Sequence, residues 1–330
     1  PPYLTTGATA DLPDGYTVQA RCYLTTPYHV SNMDLFNRMP GVRWKGCVEA
    51  RKDPYDVTDA PPNPAVIDSM FVPYFAPDEP DTGASGQPYS NNYLNDYHAS
   101  WVSNNGSPRG WSTMNRFANI FKYDMVNVPR IVETSPTTTG PNAFCPDELL
   151  RLTSDKNAIL AKINSLNFWS GGGTISSEGV AWGWRTISPN APFAQGAPYG
   201  SVKKYIVLMT DGLNSLVENR PDNASDLLSD YTAYGHLAYV FFGTNRFGGA
   251  NFQTAESFLN DRLVKVCANA KAAGVSIFTI LFRETSPVIK SLLQQCASSP
   301  SQALTASDGA ALQNAFANVA AQVKSVRLRR

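Results

Sequence analysis

Lys204-Tyr205-Ile206-Val207-Leu208-Met209-Thr210-Asp211-Gly212 is the stretch that decides the fold. A continuous apolar run of strand length, closed by a polar turn, is how a strand buried on both faces reads in sequence, and it puts Asp211 at the strand's carboxyl end. Downstream, Phe258 to Ala273 carries Leu259, Leu263, Val266 and Ala270 on one helical face, with Gly274 as its natural stop. Val275 to Phe282 reads as a second buried strand. A helix from Pro287 to Cys296 follows, with Ser286 as cap and proline in its first turn. A last helix begins after Ser307-Asp308 and spaces Leu312, Phe316, Val319 and Val323 by four, three and four. Apolar strands joined by helices predict an α/β fold whose mostly parallel sheet is covered on both faces and wound right-handed. Ligands on such sheets gather at the carboxyl ends of strands, where Asp211 lies.

Upstream of that strand, Ser154 or Asp155 caps an expected helix whose Ile159, Leu160, Ile163 and Leu166 form one stripe, by which the helix should pack. Gly171-Gly172-Gly173 reads as a loop that delivers Thr174 and then a helix opening at Ser176-Ser177-Glu178. Of the 24 prolines, 18 fall at or before Pro146, among Gly, Asn, Asp and Tyr, so the chain changes character near residue 147. Residues 1–146 are expected to form a loop-rich Pro/Gly/Tyr region inserted in or flanking the domain, with short extended pieces such as Met70 to Phe75. Residues 147–330 are expected to form the α/β part.

The 330 residues are 43% hydrophobic and carry 27 acidic and 27 basic side chains, an ordinary globular composition. Zero formal charge offers no field for a phosphate backbone, which argues against nucleic acid. His29, His98 and His236 are too scattered for a zinc cluster, and no run approaches the roughly 20 apolar residues of a membrane span. The sequence starts Pro1-Pro2 without the layout of a signal peptide, so either a leader was removed or the text begins mid-protein. Cys22, Cys47, Cys145, Cys267 and Cys296 include no Cys-x-x-Cys pair. They read either as disulfides of an exported protein, with one left over, or as buried thiols.

Two polar features arrive at the strand-end rim, the hydroxyl of Thr174 and the carboxylate of Asp211. Both are hard oxygen ligands suited to Mg²⁺. The plain alternative is a flexible Gly-rich turn with a helix cap and an Asp-Gly turn. Enzyme classes find no footing. Asp81-Thr82-Gly83 imitates an aspartic-protease loop but follows Pro77-Asp78-Glu79-Pro80 rather than an apolar strand and has no second copy. There is neither a Gly-x-Ser-x-Gly elbow nor a phosphate loop with its lysine. Tyr89, Tyr93, Tyr97, Trp101 and Trp111 lie among Asn, Ser and Gly, either as a carbohydrate- or protein-contacting surface or as anchors pinning the insertion to the sheet. Arg327, Arg329 and Arg330 end a helix, where positive charge suits its dipole.

The segments Ser170-Gly171-Gly172-Gly173-Thr174-Ile175-Ser176-Ser177-Glu178 and Lys204 to Asn214 resemble the second half of a von Willebrand factor A domain. More narrowly, they resemble the bacterial TadG-like proteins encoded with tight-adherence (Flp) pili. Trp44 to Arg51, Phe71 to Pro80, Cys267 to Val275, Leu292 to Pro300 and the tail from Val326 match in the same order, so the resemblance covers most of the chain.

The resemblance implies a von Willebrand factor A-like, Rossmann-like doubly wound sheet with a metal-ion-dependent adhesion site at its top. That site takes an Asp-x-Ser-x-Ser loop after the first strand, a threonine and an aspartate. Thr174 and Asp211 match the last two. The bound Mg²⁺ keeps a position open for an Asp or Glu carboxylate of a protein partner, so the implied role is adhesion rather than turnover, in a cell-envelope protein on the periplasmic or extracellular side. No Asp-x-Ser-x-Ser follows an apolar strand here, and family members carry a membrane anchor and the first strands ahead of this region. The chain is therefore expected to be an N-terminally truncated member with an incomplete site, an unpaired flank on the Tyr205–Met209 strand, and weak or no metal affinity. The resemblance also implies a Cys267–Cys296 bridge, with Cys47–Cys145 as a second pair and Cys22 either partnered in missing sequence or a buried or free thiol.

Overall fold

The computed structural model describes residues 17–18, 22–23, 31–81, 89–95, 120–123, 131, 138–167, 173–217, 227–237, 246–249 and 251–327. The elements begin with a minimal antiparallel pair, β1 (Thr17–Val18) and β2 (Cys22–Tyr23). The helices α1 (Asn32–Arg38), α2 (Lys156–Ser165) and α3 (Ser176–Ile187) follow. The remainder alternates: β3 (Lys204–Thr210), α4 (Phe252–Ala272), β4 (Val275–Phe282), α5 (Pro287–Cys296), β5 (Ala303–Ala306) and α6 (Gly309–Arg327).

Strands β3, β4 and β5 form a parallel sheet in that order, with Ile206 opposite Ile277 and Ile280 opposite Leu304. Because side chains alternate along a strand, this register sorts the sheet into two faces. On one, Ile206, Val275, Ile277 and Leu281 pack against Val180 and Trp184 of α3, Leu263 and Val266 of α4, and Ile289 and Leu293 of α5. On the other, Ile280 packs against Ala315 of α6, with Phe282, Leu304 and Leu312 around it. Helices thus cover both faces of a parallel α/β sheet, and apolar burial of this kind contributes about 1.5–3 kcal/mol per large side chain.

Strand β3 departs from the reading of burial on both faces. Tyr205 is half-buried and Val207 and Met209 are exposed. These three share the face of Phe278 and Ile280, which α6 covers over β4 and β5 but not over β3. The outer edge of β3 also has no strand partner among the described residues. An apolar run shows that both faces can be buried, not that both are.

Helix α2 departs too. Asp155 caps it as expected, accepting from the N–H groups of Asn157 and Ala158 at 2.8 and 3.3 Å. None of its residues is buried, however, and Leu160 is 57% exposed. The stripe of Ile159, Leu160, Ile163 and Leu166 lies open instead of packing, because spacing tells which side is apolar and not what covers it. Leu160→Lys is accordingly expected to change the unfolding free energy by less than about 0.5 kcal/mol. A loss above about 1.5 kcal/mol in urea unfolding would mean that the stripe is covered.

The loop-rich region has a core of its own, in which Leu35, Phe36, Met39, Phe75, Tyr93, Leu94 and Tyr123 cluster. Buried arginines knit it together from within and fasten it to the helices. Arg51 donates to the carbonyls of Thr58, Ala60 and Ser69, and Arg185 of α3 donates to those of Tyr55 and Asp56. Arg262 of α4 binds both carboxylate oxygens of Asp56. Disulfides join Cys47 to Cys145 and Cys267 to Cys296. Two bridges point to an oxidising compartment, extracellular or in the cell envelope. No helix among the described residues is long and apolar enough to cross a membrane.

Candidate functional site

The carboxyl end of β3 is shaped by a small polar turn. The Thr210 hydroxyl donates to the Gly212 carbonyl at 3.1 Å and accepts from the Gly212 N–H at 3.3 Å, which leaves Asp211 exposed at the apex. The chain then runs alongside the loop that opens α3. Thr174 N–H donates to the Ser215 carbonyl at 2.8 Å, and Ser215 N–H donates to the Thr174 carbonyl at 3.0 Å. So close an approach demands glycine at the preceding position. Gly173 has φ +78°, and a Cβ there would stand 2.1 Å from the Ser215 carbonyl oxygen and 2.9 Å from the Leu216 Cα.

Ile175 cannot cap α3 with its side chain, and Asn214 takes over that role from the neighbouring loop. Its Oδ1 accepts from the Ser176 N–H at 2.9 Å, while its Nδ2 donates to Asn260 Oδ1 of α4 at 2.9 Å. A buried amide thereby ties the start of α3, the end of β3 and the first half of α4 together. The Oγ atoms of Ser176 and Ser177, both buried in the first turn of α3, have no hydrogen-bond partner among the described residues.

The two residues singled out from the sequence therefore lie on adjacent, mutually bonded segments at one rim of the sheet. Both side chains are exposed, and neither the Thr174 hydroxyl nor the Asp211 carboxylate makes a hydrogen bond or ion pair among the described residues. Uncommitted hard oxygens of this kind fit part of an octahedral Mg²⁺ shell, the rest being left to water or further ligands. They do not fill one, and the described residues contain no group of three or more His, Cys, Asp or Glu able to hold a metal ion. The amino end of α3 presents the positive end of its dipole at the same rim, which suits an incoming carboxylate better than a bare cation.

Other sequence candidates fall elsewhere. Tyr89 and Tyr93 are buried, Tyr93 completely and within the loop-region core, so they are not surface-contact residues. Tyr97, Trp101 and Trp111 lie outside the described residues, as do Gly171, Gly172, Arg329 and Arg330. Asp81 accepts from Asn92 Nδ2 at 2.9 Å, and Thr82 and Gly83 also lie outside the described residues. Sequence reading did not single out Asn214, Ser176 or Ser177 as site residues. An Asp-Gly-x-Asn turn after an apolar strand was the available signal.

No protein-family profile matches the chain, and no curated protein matches its sequence. Among solved structures, the pilus adhesin SpaC from Lactobacillus rhamnosus GG superposes with a TM-score of 0.32 at 14% identity. The match takes in 52% of this chain and 21% of that one, so the chain spans about a fifth of the adhesin's length. A likeness of that size leaves function to be argued from this chain's own residues.

Proposed function

We propose that this chain is the C-terminal part of a von Willebrand factor A-like domain in a non-catalytic cell-envelope protein of tight-adherence (Flp) pilus assembly or adhesion. The carrying observation is the two-way backbone pairing of Thr174 with Ser215, which joins the loop that opens α3 to the segment following Asp211. Among the described residues the outer edge of β3 has no strand partner, with Val207 and Met209 uncovered, as a missing neighbouring strand would leave it.

In this reading Thr174 Oγ1 and the Asp211 carboxylate hold Mg²⁺ directly or through water. The cation, when bound, supplies an electrophilic position that an Asp or Glu side chain of a protein partner completes. Asn214 fixes the amino end of α3 beside them, and that positive end favours the arriving carboxylate. Gly173 permits the close backbone approach that keeps the two loops in register. With no Asp-x-Ser-x-Ser loop in the sequence, the present chain holds Mg²⁺ weakly or not at all.

In a chain extended to supply that loop, Asp211→Ala is expected to weaken Mg²⁺ binding in isothermal titration by at least about tenfold. Because Asp211 is exposed, its unfolding midpoint should stay where it was. Unchanged Mg²⁺ affinity in that variant would count against the proposal. A carbohydrate surface built on the Tyr/Trp-rich segment draws no support from Tyr89 and Tyr93, which are core residues.

A further inference from the structure

Inside the loop-rich region, two side chains of opposite reactivity touch where water does not reach. Lys122 Nζ stands 2.8 Å from Asp78 Oδ2, and both side chains are wholly buried. Phe75, Tyr93, Leu94 and Tyr123 belong to the same apolar cluster, and the Tyr123 ring centroid lies 5.8 Å from Nζ. Separating charge in such surroundings is costly, and moving the proton from nitrogen to oxygen gives a neutral amine and a neutral acid.

The carboxyl group is held for attack. Its Oδ1 accepts from the backbone N–H groups of Tyr93 and Leu94 at 2.7 and 2.6 Å. Two convergent backbone donors on one carboxyl oxygen form the arrangement that stabilises a tetrahedral oxyanion. The backbone is pinned as well, since the Asp78 N–H donates to the Tyr123 hydroxyl at 2.8 Å and Lys122 Nζ donates to the Asp78 carbonyl at 2.8 Å. By contrast, Oδ2 has no aligned hydrogen bond among the described residues, although Nζ is in contact with it. Burial, opposed in part by Lys122, pushes the Asp78 carboxyl up to about 6, which eases its protonation.

We propose that Lys122 and Asp78 condense into an intramolecular isopeptide bond. A proton passes from Nζ to Oδ2, and the freed lone pair attacks Cγ. The negative charge of the tetrahedral adduct rests on Oδ1 against the Tyr93 and Leu94 N–H groups. A second Nζ proton then moves to the Oδ2 hydroxyl, which leaves as water while the Cγ–Nζ amide forms. Atoms balance as amine plus acid to amide plus water, with no oxidant or co-reactant.

The test is the intact mass of the folded, monomeric chain after reduction and denaturation, followed by peptide mapping. The expected mass is about 18 Da below the sequence value, one water, with Lys122 and Asp78 recovered in a single branched peptide. Lys122→Arg should show its full mass, and Asp78→Asn should lose about 17 Da, one ammonia, since an amide carbonyl is attacked in the same way. The full sequence mass in the folded parent chain, with the two residues on separate linear peptides, would overturn the proposal.

Discussion

Replacing Cys47 and Cys145 together by alanine is expected to lower the unfolding free energy by about 4–5 kcal/mol. The bridge spans 98 residues, and a closed loop of that length removes much of the freedom of the unfolded chain. Among its described residues, the region it closes contains short 3₁₀ turns but no α-helix and no strand longer than an isolated bridge. Its described backbone is pinned by isolated contacts such as the Val48–Pro73 bridge and by the small cluster of Tyr74, Ala76, Ala143 and Tyr231. Against a typical net stability of about 5–15 kcal/mol, such a loss brings the chain close to unfolding at physiological temperature. Urea unfolding of the double variant, compared with the parent at equal slope, measures it. The Cys267–Cys296 bridge spans 29 residues and should cost about 3.6 kcal/mol when removed in the same way. A loss below about 1 kcal/mol for the Cys47–Cys145 variant would mean that the bridge does not constrain the unfolded chain as the loop length requires.

Asp56→Ala is expected to cost about 3–5 kcal/mol, because it strands a buried cation. Arg262 Nε donates to Asp56 Oδ2 at 2.7 Å, a second guanidinium nitrogen binds Oδ1, and the Tyr234 hydroxyl donates to Oδ2 at 3.0 Å. Without that carboxylate, Arg262 keeps, among the described residues, Asp53 as its one ion-pair partner, whose side chain is 74% exposed and contributes little. Asp53→Ala, which leaves the buried pair intact, should cost less than about 1 kcal/mol. Converting the buried pair as a whole, with Asp56→Leu and Arg262→Met together, should cost clearly less than Asp56→Ala alone. Equal losses for Asp53→Ala and Asp56→Ala would show that the buried pair is not what fastens the loop to α4.

The α/β half was legible wherever local chemistry and packing agree. β4 spans the residues its apolar run marked, Val275–Phe282, and α5 opens at Pro287 behind Ser286. α4 starts at Phe252 rather than Phe258, since Asn251 caps it by accepting from the Thr254 N–H at 2.8 Å; the polar Gln253, Thr254, Glu256 and Ser257 interrupt the apolar pattern ahead of Phe258. β5 is only Ala303–Ala306, too short and too weakly apolar to register as a strand. The α2 stripe and the outer face of β3 show the limit of periodicity, because it ranks the sides of an element and does not reveal its neighbours.

The polar architecture was least legible. Arg51, Asp56, Arg185 and Arg262 are single charged residues scattered over more than two hundred positions, and nothing local marks them as buried partners. The same holds for Lys122 and Asp78, 44 residues apart. Thr174 and Asp211 stood out as candidates because each sits beside a strong local marker, a glycine run and the end of an apolar strand. Asn214, which holds the two loops together, was not, because its role depends on meeting the amino end of a helix 38 residues away.

The central claim is that the Thr174 and Asp211 loops serve one cation. Paramagnetic broadening by Mn²⁺ of a deuterated, ¹⁵N-labelled chain extended to supply the Asp-x-Ser-x-Ser loop tests it most directly. The account predicts that amide signals of residues 173–176 and 211–216 broaden together on Mn²⁺ addition, and that Asp211→Ala abolishes the effect at both loops. Broadening confined to one loop, or centred elsewhere and unchanged by Asp211→Ala, would contradict it.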